Sequence, residues 1–386
     1  MGAFLFFRQI ETRAELCVSR DRLAPGFVGR GLNSEIMRRL AFLLLLAGLL
    51  FTMTDAAAAA DSPQEHFDQE ITVALDTIVV RVVDGTGRPI LGLTPGDFRI
   101  RVHGREIPVT AVDWVSSESE AKAPEAPVEE FEGWKGNEAR KQALGKLVVF
   151  FVQADLNPTR ISGQLRLRPY TRELVASFAP SDRVAVVSYD SHLKLWLDFT
   201  TDRQAVLEAV DRAMVYTPER DVSPSDRPSL AAHFDFAEAL RVATPERALE
   251  MTAKALTHLP GEKTMIYLGW GLGRFGLGGV RMTPDFRPAV AALADAHVSV
   301  FVLDVTSADS HSLEVGLEGV AAATGGTYAS TFRLPGLATA HLARSISGWY
   351  VLTVDRDDFA GFQPGEATID LRHRRGDVLA RPVFLH

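Results

Sequence analysis

The stretch KLVVFFVQADLNPT, Lys146–Thr159, decides how this chain is read. An unbroken apolar run from Leu147 to Val152, most of it β-branched or aromatic, stops at Ala154-Asp155-Leu156-Asn157-Pro158-Thr159. A short apolar run closed by turn residues is the pattern of a strand buried on both faces, as at the centre of a parallel sheet. Open α/β sheets bind ligands just beyond the carboxyl ends of such strands. There this strand presents Asp155, Asn157 and Thr159: a carboxylate, an amide and a hydroxyl at alternate positions. Oxygen ligands so spaced suit a hard divalent cation.

Downstream, strand and helix patterns alternate. Gly163–Phe178 reads as a helix, Arg183–Ser188 and Leu193–Phe199 as strands joined by a turn at Asp190-Ser191. Helical patterns follow over Asp202–Met214, Ser229–Val242 and Ala248–Leu259. Met265–Leu268 is then a buried strand before a glycine-rich loop. Arg287–Ala296, Ser312–Thr324 and Leu337–Ile346 are helical, with strands at Val298–Leu303 and Thr327–Ser330 between them. Such alternation implies βαβ units and a mainly parallel sheet with helices on both faces, an α/β fold spanning 146–346.

The flanks are different. Residues 69–115 alternate apolar and polar with period two between Gly, Asp and Pro turns, and 347–386 does the same. These are antiparallel β signals. Neither piece has enough strands for a stable core alone, so the two are expected to pack together as a second module. Residues 116–145 form an acidic linker rich in Ala, Pro and Glu, a composition that buries little apolar surface. Phe131 and Trp134 within it read as isolated aromatics.

The 386 residues allow two domains at about 150 residues each. The net charge of −8 and the absence of a dense Lys/Arg cluster in the body exclude a nucleic-acid surface. A single cysteine, Cys17, excludes an internal disulfide framework and a cysteine-based zinc site. Met37-Arg38-Arg39, the apolar run Leu40–Met53 and the alanine tract ending at Ala60 are the three parts of a secretory signal. The run is shorter than the ~20 residues that span a bilayer, so it reads as cleaved, with no stable transmembrane helix afterwards. Residues 1–36 then read as upstream sequence from a mis-assigned start. The mature protein is expected to be exported to the periplasm, the cell surface or the medium.

The order of elements resembles a von Willebrand factor A domain, most closely the exported bacterial VWFA-related family best known from acidobacteria. VVDGTGRPILGLTPGDFRIRVHGREIPV resembles that family's leading β segment, and SDRVAVVSYDSHLKLWLDFTTDRQAVLEAV its second and third strands with the next helix. VSVFVLDV and GVAAATGGTYA are similar to its fifth strand, sixth helix and last strand. The resemblance implies a metal-ion-dependent adhesion site of Asp-x-Ser-x-Ser after the first strand, a threonine in a second loop and an aspartate after the fourth strand. Here the first loop is Asp155-x-Asn157-x-Thr159, and Gly269-Trp270-Gly271 stands where Ser-Asp-Gly is expected. The loop Tyr216–Ser229 offers Thr217, Ser223, Ser225 and Ser229 without the expected context. With one carboxylate left, the site reads as degenerate. Mg²⁺ sheds water reluctantly, so no cofactor is expected. Trp270 has two readings, a partner contact or a ring filling the vacated ion position.

Other constellations are weaker. Gly271-x-Gly273-x-x-Gly276 matches the dinucleotide fingerprint, but its last glycine opens no helix. Asp190-Ser191-His192 and Asp309-Ser310-His311 read as turns; no Gly-x-Ser-x-Gly elbow exists. His233 and Asp235 point to different faces of a helix, and Arg372–Arg375 reads as an edge-strand charge cluster. The favoured function is a non-enzymatic adhesion or interaction module for a protein or other macromolecular partner. An α/β hydrolytic enzyme using the same loops, or a structural subunit of an envelope assembly, are the alternatives.

Translation is expected to begin at Met37 and the mature chain near Asp61. Mass spectrometry of the native protein checks this; peptides from residues 1–36 would overturn it.

Overall fold

The structure is a computed structural model that describes residues 75–116, 145–215, 222–359 and 365–385. The signal at 37–60, the linker aromatics Phe131 and Trp134, and Thr217 lie outside the described residues. All described residues fall in one compact unit. It begins with β1 (Leu75–Val83), β2 (Phe98–Val102), β3 (Arg105–Ile107) and β4 (Ala111–Ser116). In β2 the predicted alternation is literal: Phe98, Ile100 and Val102 are buried, Arg99 and Arg101 are not.

The decisive stretch is β5 (Leu147–Gln153), buried at every position. Helix α1 (Pro158–Ala176) starts five residues earlier than its apolar pattern suggests, because Asn157 caps it and Pro158 takes the first turn, where a missing N–H costs nothing. Strands β6 (Arg183–Tyr189) and β7 (Leu193–Thr200) form an antiparallel pair. Helix α2 (Arg203–Met214) is capped by Asp202.

The expected helix over Ser229–Val242 does not form. Only a 3₁₀ turn at Ala231–His233 and a short α3 (Phe236–Ala239) appear. Asp198 on β7 holds the entry to this segment. Its carboxylate accepts from Ser225 N at 2.8 Å, Ser229 Oγ at 2.5 Å and Leu230 N at 2.6 Å. Helix α4 (Pro245–Thr257) follows, then β8 (Lys263–Gly269). The glycine-rich loop folds into a small hairpin, β9 (Arg274–Gly276) with β10 (Gly279–Arg281). Helix α5 (Phe286–Asp295), β11 (Val298–Asp304), α6 (Glu314–Ala323), β12 (Tyr328–Ser330) and α7 (Pro335–Ser345) complete the middle of the chain.

The six-stranded sheet runs β12-β11-β8-β5-β6-β7, parallel except at the β7 edge. Alternation in β5 feeds two cores. Val149 and Phe151 pack with Leu249, Leu256, Leu293 and Leu317 of α4, α5 and α6. Val148, Phe150 and Val152 pack with Leu167, Leu174, Val210 and Leu342 of α1, α2 and α7. Helices therefore cover both faces. At Gly163 the first helix meets the end of β11 so closely that a Cβ would sit 1.7 Å from the Val305 carbonyl oxygen.

The tail supplies β13 (Gly348–Asp355), β14 (Gly365–Leu371), β15 (Asp377–Ala380) and β16 (Val383–Leu385). The tail breaks at Arg381-Pro382, where proline has no N–H for a ladder, and the strands on either side of it, β15 and β16, join different sheets. The sheets are β15-β1-β13-β4 and β16-β14-β2-β3, so residues 75–116 and 348–385 complete each other around Val80, Ile100, Tyr350 and Leu352.

One arginine ties this module to the parallel sheet. Arg81 on β1 is 2 % exposed and donates to Ser299 Oγ on β11 at 2.9 Å. Burial brings its pKa down to about 10 against the opposing charge of Glu262. Glu262, just before β8, takes a two-pronged bond from Arg381 of the tail. Burial alone would raise its carboxyl. Hydrogen bonds from Arg381 and His297 and the charges of Arg381 and Arg81 outweigh that and bring it to about 2.

The folded pKa of Glu262 lies below its unfolded value, so its stabilisation is present above about pH 4.5 and lost as pH falls toward 2. Glu262→Gln is expected to cost about 3 kcal/mol at pH 7, and the gap from wild type should narrow below about pH 4.5 and close only as pH falls through about 2. Urea unfolding at a series of pH values measures both.

Candidate functional site

The carboxyl end of β5 is organised by Gln153, which has 1 % exposure. Its Oε1 accepts from Tyr267 Oη at 3.0 Å, Trp270 N at 3.0 Å and Gly271 N at 3.3 Å, while its Nε2 donates to Gly271 O at 2.9 Å. Its own carbonyl accepts from Gln164 Nε2 at 2.9 Å. One amide thus sets the loops after two neighbouring strands. Gly271 has φ +154°, and a Cβ there would lie 2.5 Å from Leu313 Cβ, so the loop passes where only glycine fits. No motif in the sequence singles out Gln153.

The loop of Asp155, Asn157 and Thr159 is close-knit but does not form a set of free ligands. Asn157 Oδ1 caps α1, accepting from Thr159 N at 3.0 Å and Thr159 Oγ1 at 2.7 Å. Asp155 Oδ1 accepts from Asn157 N at 2.9 Å, and its Oδ2 is ion-paired with Arg160. The Arg160 guanidinium lies flat against Trp270, its carbon 3.3 Å from the ring centroid. Half-buried Trp270 thus forms one wall of a sandwich of carboxylate, guanidinium and indole; its Nε1 has no hydrogen-bond partner. Arg160 escaped the sequence reading because it lies one turn into a helix that apolar spacing starts later.

The sheet order, its single antiparallel edge and a carboxylate loop at the end of the central strand are together decisive. This is the fold of a von Willebrand factor A domain. No protein-family model matches the chain, and no curated protein matches it. Among solved structures, BatB from Bacteroides thetaiotaomicron aligns at 12 % identity and TM-score 0.35, over 53 % of this chain and 98 % of that one. An aerotolerance-related membrane protein from Bacteroides fragilis gives 13 %, 0.36, 52 % and 98 % on the same measures. The vWF domain of the pilus tip protein Mfa5 from Porphyromonas gingivalis gives 12 %, 0.33, 52 % and 95 %. Scores this low say nothing of ligands; the assignment of the A-type domain rests on its own topology.

The other constellations resolve in physical terms. Ser191 Oγ contacts Asp190 Oδ1 at 2.9 Å and His192 Nδ1 at 3.0 Å, while Lys194 Nζ holds Asp190 at 2.6 Å. The acid therefore meets the serine rather than orienting the histidine, the reverse of a triad. The Gly271–Gly276 run enters the hairpin, so no helix start lies ready for a pyrophosphate. His233 stacks on His258 and Asp235 caps α3. Arg372 pairs with Glu106, and Arg374 lies 3.7 Å from Asp97, so that basic cluster is spent within the β module.

Two further features are visible only in three dimensions. Asp304 at the end of β11 gathers His311 and Tyr328, and burial together with its hydrogen bond pushes the Tyr328 phenol up. At the same end of the sheet the β9–β10 hairpin carries Phe275, 70 % exposed, and Leu277, fully exposed, between Arg274 and Arg281. Leu156 and Leu334, on the loops after β5 and β12, are also exposed.

Gln153→Leu would leave the Tyr267 hydroxyl, the Trp270 and Gly271 N–H groups and the Gly271 carbonyl without their partner. It is expected to cost about 2–4 kcal/mol, read as a lower urea midpoint with an unchanged slope.

Proposed function

We propose that this chain is an exported, non-enzymatic interaction module whose carboxyl-end loops meet a macromolecular partner without a metal ion. The observation that carries the reading is the Asp155–Arg160–Trp270 sandwich. A side-chain cation sits against the one carboxylate of the adhesion-site loop, in the position where the resemblance implies a divalent ion. A second cation there would be repelled by the guanidinium, and Asn157 and Thr159 are already committed to capping α1. Arginine stays charged at every physiological pH, so the loop keeps one charge state and one shape.

The surface around the sandwich supports a contact role. Exposed large apolar side chains gathered at one end of a domain mark interaction sites, and Phe275, Leu277 and Leu156 all lie on loops at this end. Among the described residues no helix is long and apolar enough to cross a membrane. The pilus-tip and aerotolerance proteins named above share the fold only, and the partner here is left as a protein or other macromolecule.

Thermal unfolding of protein stripped with a chelator and dialysed is expected to give the same midpoint with and without added Mg²⁺. A metal-dependent rise of several degrees, abolished by Asp155→Ala, would move the protein to the cation-dependent class. Photocrosslinking in the native envelope from position 275 should give a discrete adduct, and none from position 172 on exposed α1 surface. Equal labelling from both positions would refute the loop face as the contact surface.

A further inference from the structure

We propose that Asp304, His311 and Glu314 form a zinc site beside the loop face. One ligand atom from each lies within 4.8 Å of the others. His311 Nε2 is 2.6 Å from Asp304 Oδ2. Tyr328 Oη is 2.8 Å from the same Asp304 oxygen and 3.4 Å from Glu314 Oε2. Three elements converge here: Asp304 ends β11, Tyr328 opens β12, and His311 and Glu314 sit at the start of α6.

The charge balance favours a cation. Asp304 is fully buried, and among the described residues neither it nor Glu314 is paired with a lysine or arginine. Other buried acids behave differently. Asp182 has Lys146 and Glu262 has Arg381.

The surroundings hold the set in place. Thr306 N donates to Asp304 Oδ1 at 2.8 Å, leaving Oδ2 directed at the cluster, and Thr331 Oγ1 binds the Asp304 carbonyl at 2.7 Å. His311 N donates to Glu314 Oε2 at 3.1 Å. Such outer contacts orient ligands around a metal. Zinc takes nitrogen and carboxylate oxygen at about 2.0–2.2 Å in a tetrahedron, which places ligand atoms about 3.3–3.5 Å apart. To reach that spacing His311 Nε2 must back away from Asp304 Oδ2, now 2.6 Å from it, to admit an ion between them, and Glu314 must turn inward; both side chains are only partly buried. The imidazole and the low ligand number disfavour Mg²⁺ and Ca²⁺, which take six or more oxygens. A bound ion would lock the β11–α6 connection against β12.

The test is zinc stoichiometry on the purified chain after chelation, reloading and dialysis, measured by elemental analysis alongside the thermal midpoint. One zinc per chain and a midpoint several degrees higher are expected for wild type and for His258→Gln, an exposed histidine elsewhere. His311→Gln should lose both. Glu314→Gln, at the rim, serves as the deciding variant if His311→Gln does not fold, and should bind zinc at least tenfold more weakly. Cobalt substitution should give the intense visible bands of a four-coordinate site. Zinc absent from wild type, or retained at wild-type affinity in a folded His311→Gln or Glu314→Gln chain, would overturn the proposal. Neither outcome bears on the Mg²⁺ comparison at Asp155, so the two readings fail separately.

Discussion

The molecule depends on a strand with no polar face. β5 is buried at all seven positions, and both cores of the A-type domain grow from its alternate side chains. A strand of this kind has water on neither side, so its polar business is confined to its ends. At the carboxyl end that constraint falls on Gln153. Its amide takes up the backbone groups of the Gly269–Gly271 turn, which would otherwise be buried without partners. The position of Trp270, and through it the stacking of Arg160, follows from that one side chain.

Arg160 changes the electrostatic logic of the site. A divalent ion holds separate loops together by drawing several oxygens to one point. A guanidinium holds two partners by planarity, a carboxylate at its edge and an indole on its face. The contact is partly exposed, and surface ion pairs contribute little by themselves, about 0–1 kcal/mol. Its importance lies in geometry, with the Asp155 carboxylate and the Trp270 ring held by one guanidinium. At the far end of the sheet the same chemistry is buried deeper. Arg81, Arg381 and Glu262 join the β module to the parallel sheet, where removing one charge would strand the others.

The A-type domain interrupts the β module, since β1–β4 precede it and β13–β16 follow. β1 pairs with β13 and β15, and β2 with β14, so neither half closes its sheets without the other. The A-type domain must therefore bring its two chain ends near each other, and Lys146, just before β5, donates to the Ile346 carbonyl after α7 at 2.9 Å. Gly163 marks where this economy is tightest: the Val305 carbonyl approaches too closely for any Cβ.

The sequence by itself determined the strands of the parallel sheet, the antiparallel character of the flanks and the position of the candidate loop. Those features rest on local patterns: an unbroken apolar run, period-two alternation, and turn residues at fixed places. Tertiary structure decided the rest. Ser229–Val242 has helical spacing, yet it forms only a 3₁₀ turn and one short helix, its start anchored to Asp198 some thirty residues earlier. Asp155, Asn157 and Thr159 carry the right atoms at the right spacing, but a helix cap and Arg160 claim them. The Asp304, His311 and Glu314 cluster had no linear signature, because β11 and the start of α6 meet only when β12 pairs alongside. Periodicity reports which face of an element is buried. It cannot report which distant group will reach a given oxygen first, and that competition is settled only when the chain is packed.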